Sequence, residues 1–269
     1  MSTYPTQAKF DFETAVAVSD ATHVLSIDGP QDRVFEWKSV TKTLASWATL
    51  IAVDRGHVSL DDDAGPDGST LRHLLAHTSG LPFEDGPTQS PERRRVYSNL
   101  GFDVLADHVA KAVGTDFDTW VTSSVLEPLE LNDVTLTGSA AHGARGTIID
   151  LLGFALEMLR PTLISAELAK DATSVQYPHL PGVLPGFGNQ QDNDWGLGLE
   201  IRDHKSPHWT APQASPQTFG HFGQSGSFVW VDPSADLTAV FLGEKSFTYD
   251  VHGTLWPDLN AEILAKAGV

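Results

Sequence analysis

A serine and a lysine stand three residues apart in the segment EWKSVTKTLASWATL, residues 36–50. This spacing places Ser39 and Lys42 on one face of a helix, with Ser39 at its first turn. A lysine on the inward face of an apolar helix is costly unless it is neutralised or paired, and burial lowers its pKa. A neutral Lys42 can accept the serine proton and make the hydroxyl a nucleophile. Because such a pair also arises by chance in a chain of this length, it needs supporting groups.

Two further segments supply candidates for those groups. RRRVYSNLGFDVLADHV places Tyr97 and Asn99 in a loop just before a helix, where alternate side chains point into one cleft. GHFGQSGSFVWVDP places His221 and Gly223 on a strand, and Gly223 allows a substrate backbone to come close. Taken alone, YSN is an ordinary helix N-cap formed by Ser98 or Asn99, and the second segment is a glycine-rich turn.

Other motifs that carry chemistry are absent or weak. The segment HLLAH spaces His73 and His77 like zinc ligands but lacks the glutamate of a zinc protease, so both are assigned structural roles. No Gly-x-Ser-x-Gly, P-loop or Gly-x-Gly-x-x-Gly segment occurs. Residues 93–95, all arginine, are interpreted as a solvated loop rather than an anion clamp. We therefore expect no metal and no organic cofactor.

The elements that position these residues follow from hydrophobic periodicity. Two short strands are predicted in TAVAVSDATHVLSID, and a buried helix runs from Val40 to about Arg55. Further helices are predicted at 70–77, 100–113, 116–125, 149–160 and 257–267, and strands in WGLGLEIRD, HFGQSGSFVWVDP and LTAVFLGEK. Strands at both ends and helices between them indicate a single α/β (α+β) catalytic domain over residues 1–269. Its α/β lobe is expected at about 1–60 and 193–269 and its helical lobe at about 61–192, with the site in the cleft between them.

Charge and composition exclude several classes of partner. Seventeen Lys and Arg against 35 Asp and Glu give a formal net charge of −18, which repels nucleic acid and anionic membranes. The chain has no cysteine, so disulfides and thiolate metal sites are excluded. No secretory leader and no long apolar stretch is visible, and we expect a cytoplasmic protein.

Taken in order, SVTK, YSN and HFG resemble the three motifs of the serine β-lactamase and penicillin-binding-protein superfamily, most closely its class C-like esterase branch. LRHLLAHTSGLP, ARGTIIDLLGF, WGLGLEI and GHFGQSGS are similar to the same branch, so the resemblance spans residues 35–245. It implies a β-lactamase/transpeptidase-like fold, with an antiparallel sheet flanked by helices and an inserted helical lobe. It also implies that Ser39 is acylated, that Lys42 is its proton partner and that Tyr97 is a second general base that protonates the leaving group.

The resemblance implies binding roles as well. Asn99 would orient the substrate and Lys42, and the backbone N–H groups of Ser39 and Gln224 would form the oxyanion hole beside Gly223. His221 would bind Tyr97 or a substrate carboxylate, and we expect its charge to change near its reference pKa of about 6.5.

The predicted function is hydrolysis of a small ester, amide or peptide through an acyl-enzyme on Ser39. Two alternatives stand beside it: a D-alanyl peptidase or β-lactamase, and a catalytically inactive binding protein of the same fold. Phe222, at a position where the family commonly has a small hydroxyl residue, and a short segment before Ser39 keep the second of these, the inactive binding protein, open. The oligomeric state does not follow from the sequence.

Overall fold

The structure, a computed structural model, describes residues 9–269, and the predicted contribution of residues 1–8 to the α/β lobe lies outside them. Six antiparallel strands form the central sheet in the order β2-β1-β11-β10-β9-β8. They are β1 Thr14–Asp20, β2 Val24–Asp28, β8 Glu200–Ile201, β9 Phe219–Gly223, β10 Ser227–Asp232 and β11 Leu237–Gly243. The sheet thus joins the two sequence regions predicted to be β-rich, and the predicted fold class is confirmed.

Both faces of this sheet are buried because its strands alternate apolar residues on each side. One face carries Ala15, Ala17, Val229, Val231, Val240 and Leu242 into the larger core. The other carries Val16, Val18, Phe228, Trp230, Ala239 and Phe241 into a second core, which includes many aromatic rings. Within β1, β10 and β11, therefore, the sequence is nearly continuously apolar.

Seven α-helices surround the sheet in the described part of the chain. They are α1 Thr41–Asp54, α2 Leu71–Leu75, α3 Asn99–Val113, α4 Phe117–Val121, α5 Ile148–Leu159, α6 Ala166–Ala172 and α7 His252–Ala267. Helix α1 is buried from Thr41 to Ala52, which is why its polar residues must find partners inside the protein. Helix α5 packs on β1, β10 and β11, although it falls within the predicted helical lobe. The division into two lobes otherwise stays a prediction.

Two small sheets complete the fold. Strands β3 Phe35–Glu36, β4 Thr135–Leu136 and β5 Ala144–Gly146 pair in the order β3-β5-β4 and support the approach to α1. Strands β6 Gly182–Leu184 and β7 Gly188–Gln190 form a hairpin. Strands of two or three residues are too short to show an alternating pattern, so the sequence did not reveal them.

Several predicted helix boundaries differ from the structure. The C-terminal helix was predicted to begin at Pro257, a residue that favours a first turn, but α7 begins at His252 because His252 and Trp256 are fully buried in the second core. The predicted helix 116–125 is α4 followed by a π-helical turn, Thr122–Leu126. Helix α6, capped by the Ser165 hydroxyl, was not predicted.

Candidate active site

Ser39 lies in a tight turn at the amino end of α1. A 3₁₀ turn, Lys38–Val40, precedes the helix, and Val40 N donates to the Trp37 carbonyl oxygen over 3.1 Å. The α-helix begins at Thr41, one residue after its predicted start at Val40, so Ser39 lies in the 3₁₀ turn that leads into it. Lys38 takes a left-handed φ of 46°, an uncommon conformation for a residue with a side chain, and its ammonium pairs with Glu36. The turn presents a half-buried Ser39 at the surface of a cavity.

Lys42 is fully buried one turn further along α1. Its Nζ donates to Asn99 Oδ1 over 2.6 Å and to the Ala141 carbonyl oxygen over 3.0 Å. It also lies 4.7 Å from the centre of the Tyr97 ring. Burial lowers the pKa of Lys42 from 10.5 to about 7, against an opposing attraction from Asp103 and Glu84. A substantial fraction of the amine is therefore neutral at neutral pH.

Tyr97 is held between aromatic rings. Its ring lies 4.7 Å from the ring of His77, 5.8 Å from that of Trp195 and 6.0 Å from that of Phe83, measured between centroids. Burial raises the pKa of Tyr97 above its ordinary value of 10.0, and a side-chain hydrogen bond with Ser39 lowers it in part. The phenol is thus protonated at neutral pH and in direct contact with Ser39.

Asn99 is the first residue of α3, and its side chain bridges two charged groups. Its Oδ1 accepts from Lys42, and its Nδ2 donates to Glu84 Oε1 over 3.1 Å. The N-cap of α3 is Ser98, whose hydroxyl accepts from Gly101 N, so of the two candidates Ser98 caps the helix. Asn99 is thereby free to face the site. Nothing in the sequence singled out Glu84, which lies in an exposed loop.

His221 faces Tyr97 from strand β9. Its Nδ1 bonds the Phe222 carbonyl oxygen over 2.7 Å, which requires the proton on Nδ1 and leaves Nε2 as an acceptor, 3.5 Å from the Tyr97 hydroxyl. Burial, together with repulsion by Lys42, lowers the pKa of His221 to about 3. The expected charge change near pH 6.5 is therefore wrong: this imidazole is neutral at physiological pH.

Gly223 ends β9 where the strand meets the Ser39 turn. A Cβ atom there would overlap the Trp37 carbonyl oxygen and lie 3.2 Å from Ser39 N. The close approach that this glycine permits is thus one between two parts of the chain itself, and an approach by substrate stays a prediction. Within residues 9–269, neither Ser39 N nor Gln224 N donates to a protein acceptor. Two N–H donors are therefore available at the nucleophile.

These residues surround a cavity of about 310 Å³. Ser39, Tyr97, Asn99, His221 and Gln224, all expected from the sequence, line it. Its other lining residues are Lys38, Phe83, Glu84, His142, Leu184, Pro185, Trp195, Glu200 and Phe222. Trp195 and Glu200 belong to WGLGLEI, a segment that sequence comparison could relate to the family but whose place at the cavity needed the fold.

Phe222 and Glu200 form one wall of this cavity. The Phe222 ring packs away from the cavity, and the Glu200 carboxylate is bonded by buried side chains. The Phe222 ring packs with Phe247 at 5.0 Å and with other rings of the second core. Although burial alone would raise the pKa of Glu200, His208 and Lys205 bond its carboxylate and hold that pKa below its ordinary value. Packing therefore holds this wall in place, and hydrogen bonds from His208 and Lys205 stabilise the Glu200 carboxylate.

The two histidines of HLLAH have structural partners. His73 Nδ1 accepts from Thr70 N over 3.1 Å in a capping box at the start of α2. His77, buried with a φ of 56°, accepts from Ser98 N through Nδ1 over 3.2 Å and packs on Tyr97. His77 therefore joins the α2 turn to the segment that carries Tyr97 and Asn99.

The arrangement of serine, buried lysine and tyrosine agrees with comparisons of the whole chain. The profile of the Beta-lactamase family matches residues 12–258. The chain belongs to the β-lactamase family. It is 49% identical to a β-lactamase from Mycobacterium bovis whose crystal structure superposes with a TM-score of 0.94 and covers 96% of both chains.

Two Escherichia coli proteins of the family are more distant. A protein named β-lactamase is 23% identical over 304 aligned positions, which cover 86% of this chain and 81% of that protein. The D-alanyl-D-alanine-carboxypeptidase/endopeptidase AmpH is 30% identical over 146 positions, 40% of this chain and 38% of AmpH. The chain thus aligns with well under half of AmpH.

The described part of the chain lacks two further kinds of feature. Among residues 9–269, no helix has the length and apolar character needed to cross a bilayer. The same residues contain no cluster of three or more histidine, aspartate or glutamate side chains placed to hold a metal ion.

Proposed function

We propose that the protein is a serine hydrolase that cleaves a small ester or amide through an acyl-enzyme on Ser39. The observation that carries this proposal is the contact of Ser39 with a protonated Tyr97, beside a buried Lys42 whose pKa is about 7. A hydroxyl nucleophile needs a neighbour that accepts its proton near neutral pH, and neutral Lys42 is such a group.

In the acylation step, Ser39 Oγ attacks the carbonyl carbon while its proton moves to Lys42. The Tyr97 hydroxyl then gives a proton to the departing alcohol or amine and regains one from the Lys42 ammonium. Deacylation follows the same route with water in place of Ser39. Water attacks the acyl carbon and gives its proton to the pair formed by Lys42 and Tyr97. The same pair returns a proton to Ser39 Oγ as the acid product leaves. Asn99 holds Lys42 in place during both steps through the 2.6 Å hydrogen bond.

The negative charge that develops on the carbonyl oxygen would be stabilised by the two backbone N–H groups of Ser39 and Gln224. Each such donor is worth about 3 kcal/mol of transition-state stabilisation in comparable sites. The contact between Gly223 and the Ser39 turn keeps these donors on neighbouring segments.

At the reacting end, neutral substrates suit this site. His221 is neutral because its pKa is about 3, so it offers a carboxylate no fixed charge. Lys38 lines the cavity, but Glu36 lies 3.1 Å from its ammonium. The names of the M. bovis and E. coli relatives favour a second candidate, hydrolysis of a β-lactam or a D-alanyl peptide. Faster turnover of a chromogenic cephalosporin than of a short acyl ester would promote it.

The test combines covalent labelling with turnover. A fluorophosphonate probe should label Ser39, as located by mass mapping, and Ser39→Ala should lose labelling and ester hydrolysis with an unchanged unfolding curve. Ser123→Ala, an exposed serine outside the cavity, is the matched control and should keep both. Labelling of another serine, or hydrolysis by Ser39→Ala, would overturn the proposal. The cytoplasmic location stays a prediction from the sequence.

A further inference from the structure

A second cavity, of about 470 Å³, adjoins the one that holds Ser39. Phe83, Tyr97 and Pro185 line both cavities, so the two are neighbours that share these walls. The remaining lining residues of this second cavity, called here the side groove, are Gln89, Arg94, Arg95, Val96 and Val183.

Backbone hydrogen bonds fix the walls of the side groove. Arg95 N donates to the Pro181 carbonyl oxygen over 3.0 Å, and Arg95 pairs with Gly182 as a parallel bridge, which ties the Tyr97 segment to the β6–β7 hairpin. The Arg95 guanidinium is itself buried and donates to the carbonyl oxygens of Ala76 and Gln176. On the other side, Gln89 N donates to the Gly80 carbonyl oxygen. The groove is therefore a formed feature of the fold.

The lining of the side groove combines exposed apolar side chains with one free cation. Phe83 is 50% exposed and Val183 is 45% exposed, values that are high for large apolar residues. Arg94 is exposed, and within residues 9–269 no hydrogen bond or ion pair joins its side chain to another residue. The Arg94 guanidinium at the apolar groove is therefore available to an anionic group of a ligand.

We propose that the side groove binds the non-reacting chain of the substrate, and that this chain is apolar and ends in an anionic group. Resting on the proposed hydrolysis at Ser39, the proposal names its substrate class. The scissile carbonyl lies at Ser39, the chain passes the Tyr97 ring and contacts Phe83 and Val183, and the anionic end meets Arg94. Because a neutral His221 offers no charge near Ser39, the anionic group of the substrate is bound at the far end of its chain, by Arg94.

Two series of esters test the proposal on the native protein. One lengthens the acyl chain with a fixed alcohol, and the other lengthens the alcohol with a fixed acetyl group. Each chain ends either in a methyl group or in a carboxylate. In the series whose lengthened chain enters the side groove, kcat/KM should rise about fourfold per added methylene until the groove is filled. A terminal carboxylate on the longer chains should add a further factor of about two to five at low ionic strength, lost in high salt.

Matched variants assign these effects to the groove. Val183→Thr keeps the shape of the side chain and should reduce the gain from chain length, whereas Val175→Thr, an exposed valine outside the groove, should not. Arg94→Gln should abolish the preference for the carboxylate, and Arg93→Gln, the neighbouring exposed arginine, should preserve it. Neither control change, Val175→Thr or Arg93→Gln, should alter hydrolysis of the shortest acetyl ester.

The outcomes separate the two proposals. If the shortest ester is not hydrolysed, or is hydrolysed equally by Ser39→Ala, the proposed function fails. If it is hydrolysed at Ser39 but neither series shows a length or charge preference, the groove proposal alone is overturned. The groove proposal is likewise overturned if Arg93→Gln and Arg94→Gln have equal effects, because then only the general charge of the loop matters.

Discussion

At the scale of single residues, the protonation of Lys42 controls the proposed mechanism. Lys42 can accept the Ser39 proton only as the neutral amine, and its pKa lies at about 7. We therefore expect kcat/KM for a neutral ester to rise with pH and to level off above an apparent pKa near 7. A rate profile measured from about pH 5 to pH 9 checks this. A profile without this limb would show that Lys42 is not the proton acceptor.

Glu84 offers a way to shift the pH above which kcat/KM levels off. Its carboxylate accepts from Asn99 Nδ2, and its charge, like that of Asp103, raises the pKa of Lys42. Glu84→Gln removes the charge and keeps an oxygen acceptor, so the acidic limb should shift to lower pH while the plateau rate changes little. Asp85→Asn removes an equal charge from the same exposed loop and serves as the control. Equal shifts in both variants would show that only the general charge of the loop, and not the position of Glu84, affects the pKa of Lys42.

His221 gives the opposite expectation, no titration of its own near neutral pH. Because its imidazole is neutral above about pH 3, His221 should add no midpoint of its own between about pH 5 and pH 8, and the ratio of kcat/KM for two substrates should follow the Lys42 midpoint near pH 7 alone. The two substrates are a neutral ester and an analogue with a carboxylate next to the scissile bond. A midpoint in this ratio that is lost in His221→Gln would show that His221 titrates in the active protein.

The sequence predicted the site at this scale only in part. The order of the three motifs was sufficient to predict that Ser39 and Tyr97 share one cavity, and Lys42 is buried against the Tyr97 ring. The low pKa of His221 was not predictable, because it depends on burial beneath Trp195 and on repulsion by Lys42. Glu84 was missed because a carboxylate in an exposed loop has no pattern that marks it.

At the scale of elements, the contact between β9 and the Ser39 turn decides the position of the nucleophile. Gly223→Ala would push the strand against the Trp37 carbonyl oxygen and displace Ser39 N. We expect a loss of about 1–3 kcal/mol in the free energy of unfolding, and a fall in kcat of roughly tenfold or more. Urea unfolding and steady-state kinetics measure the two effects.

The control is on the same strand. A Cβ at Gly220 would overlap the backbone of β10, so Gly220→Ala should cost similar stability, but it does not contact the Ser39 turn. Its kcat should therefore stay within a few-fold of the native value. If both variants lose kcat equally, strain in β9 acts on the site generally and the specific contact at Gly223 has no special role.

Element boundaries show what the sequence could not supply. Apolar periodicity located α1, α3 and α5 to within a residue or two, because each buries a continuous face. It placed Ser39 at the first turn of α1 but did not show that this turn is 3₁₀, since a 3₁₀ turn and an α-helical turn have nearly the same pattern of buried residues. The left-handed φ of Lys38 is incompatible with a regular α-helical turn at this point, and no sequence rule predicts such a φ for a lysine.

At the scale of the whole molecule, burial of Lys42 links stability to pH. The folded protein prefers the neutral amine above about pH 7, whereas an unfolded lysine stays protonated to about pH 10.5. Between these values the unfolded state binds more protons, so the free energy of unfolding rises with pH by at most about 1.4 kcal/mol per unit.

Lys42→Met removes this linkage. From about pH 6 to pH 9, the native protein should gain about 2–3 kcal/mol of stability relative to the variant, as measured by urea unfolding at each pH. Lys111→Met, on the exposed face of α3, measures the background change for loss of a lysine. A constant difference between native protein and Lys42→Met would mean that Lys42 keeps its charge when buried.

The order of strands in the central sheet also bears on how the chain is synthesised. Strand β1 lies between β2 and β11, and Asp20 pairs with Leu237. A ribosome therefore releases β1, the Ser39 turn and α1 long before the strand that completes their support exists. A β1–β2 hairpin alone is marginal in water. The apolar α1 must wait, exposed or shielded by a chaperone, until nearly the whole chain has emerged. Synthesis that stalls before residue 237 should thus yield an aggregation-prone nascent chain.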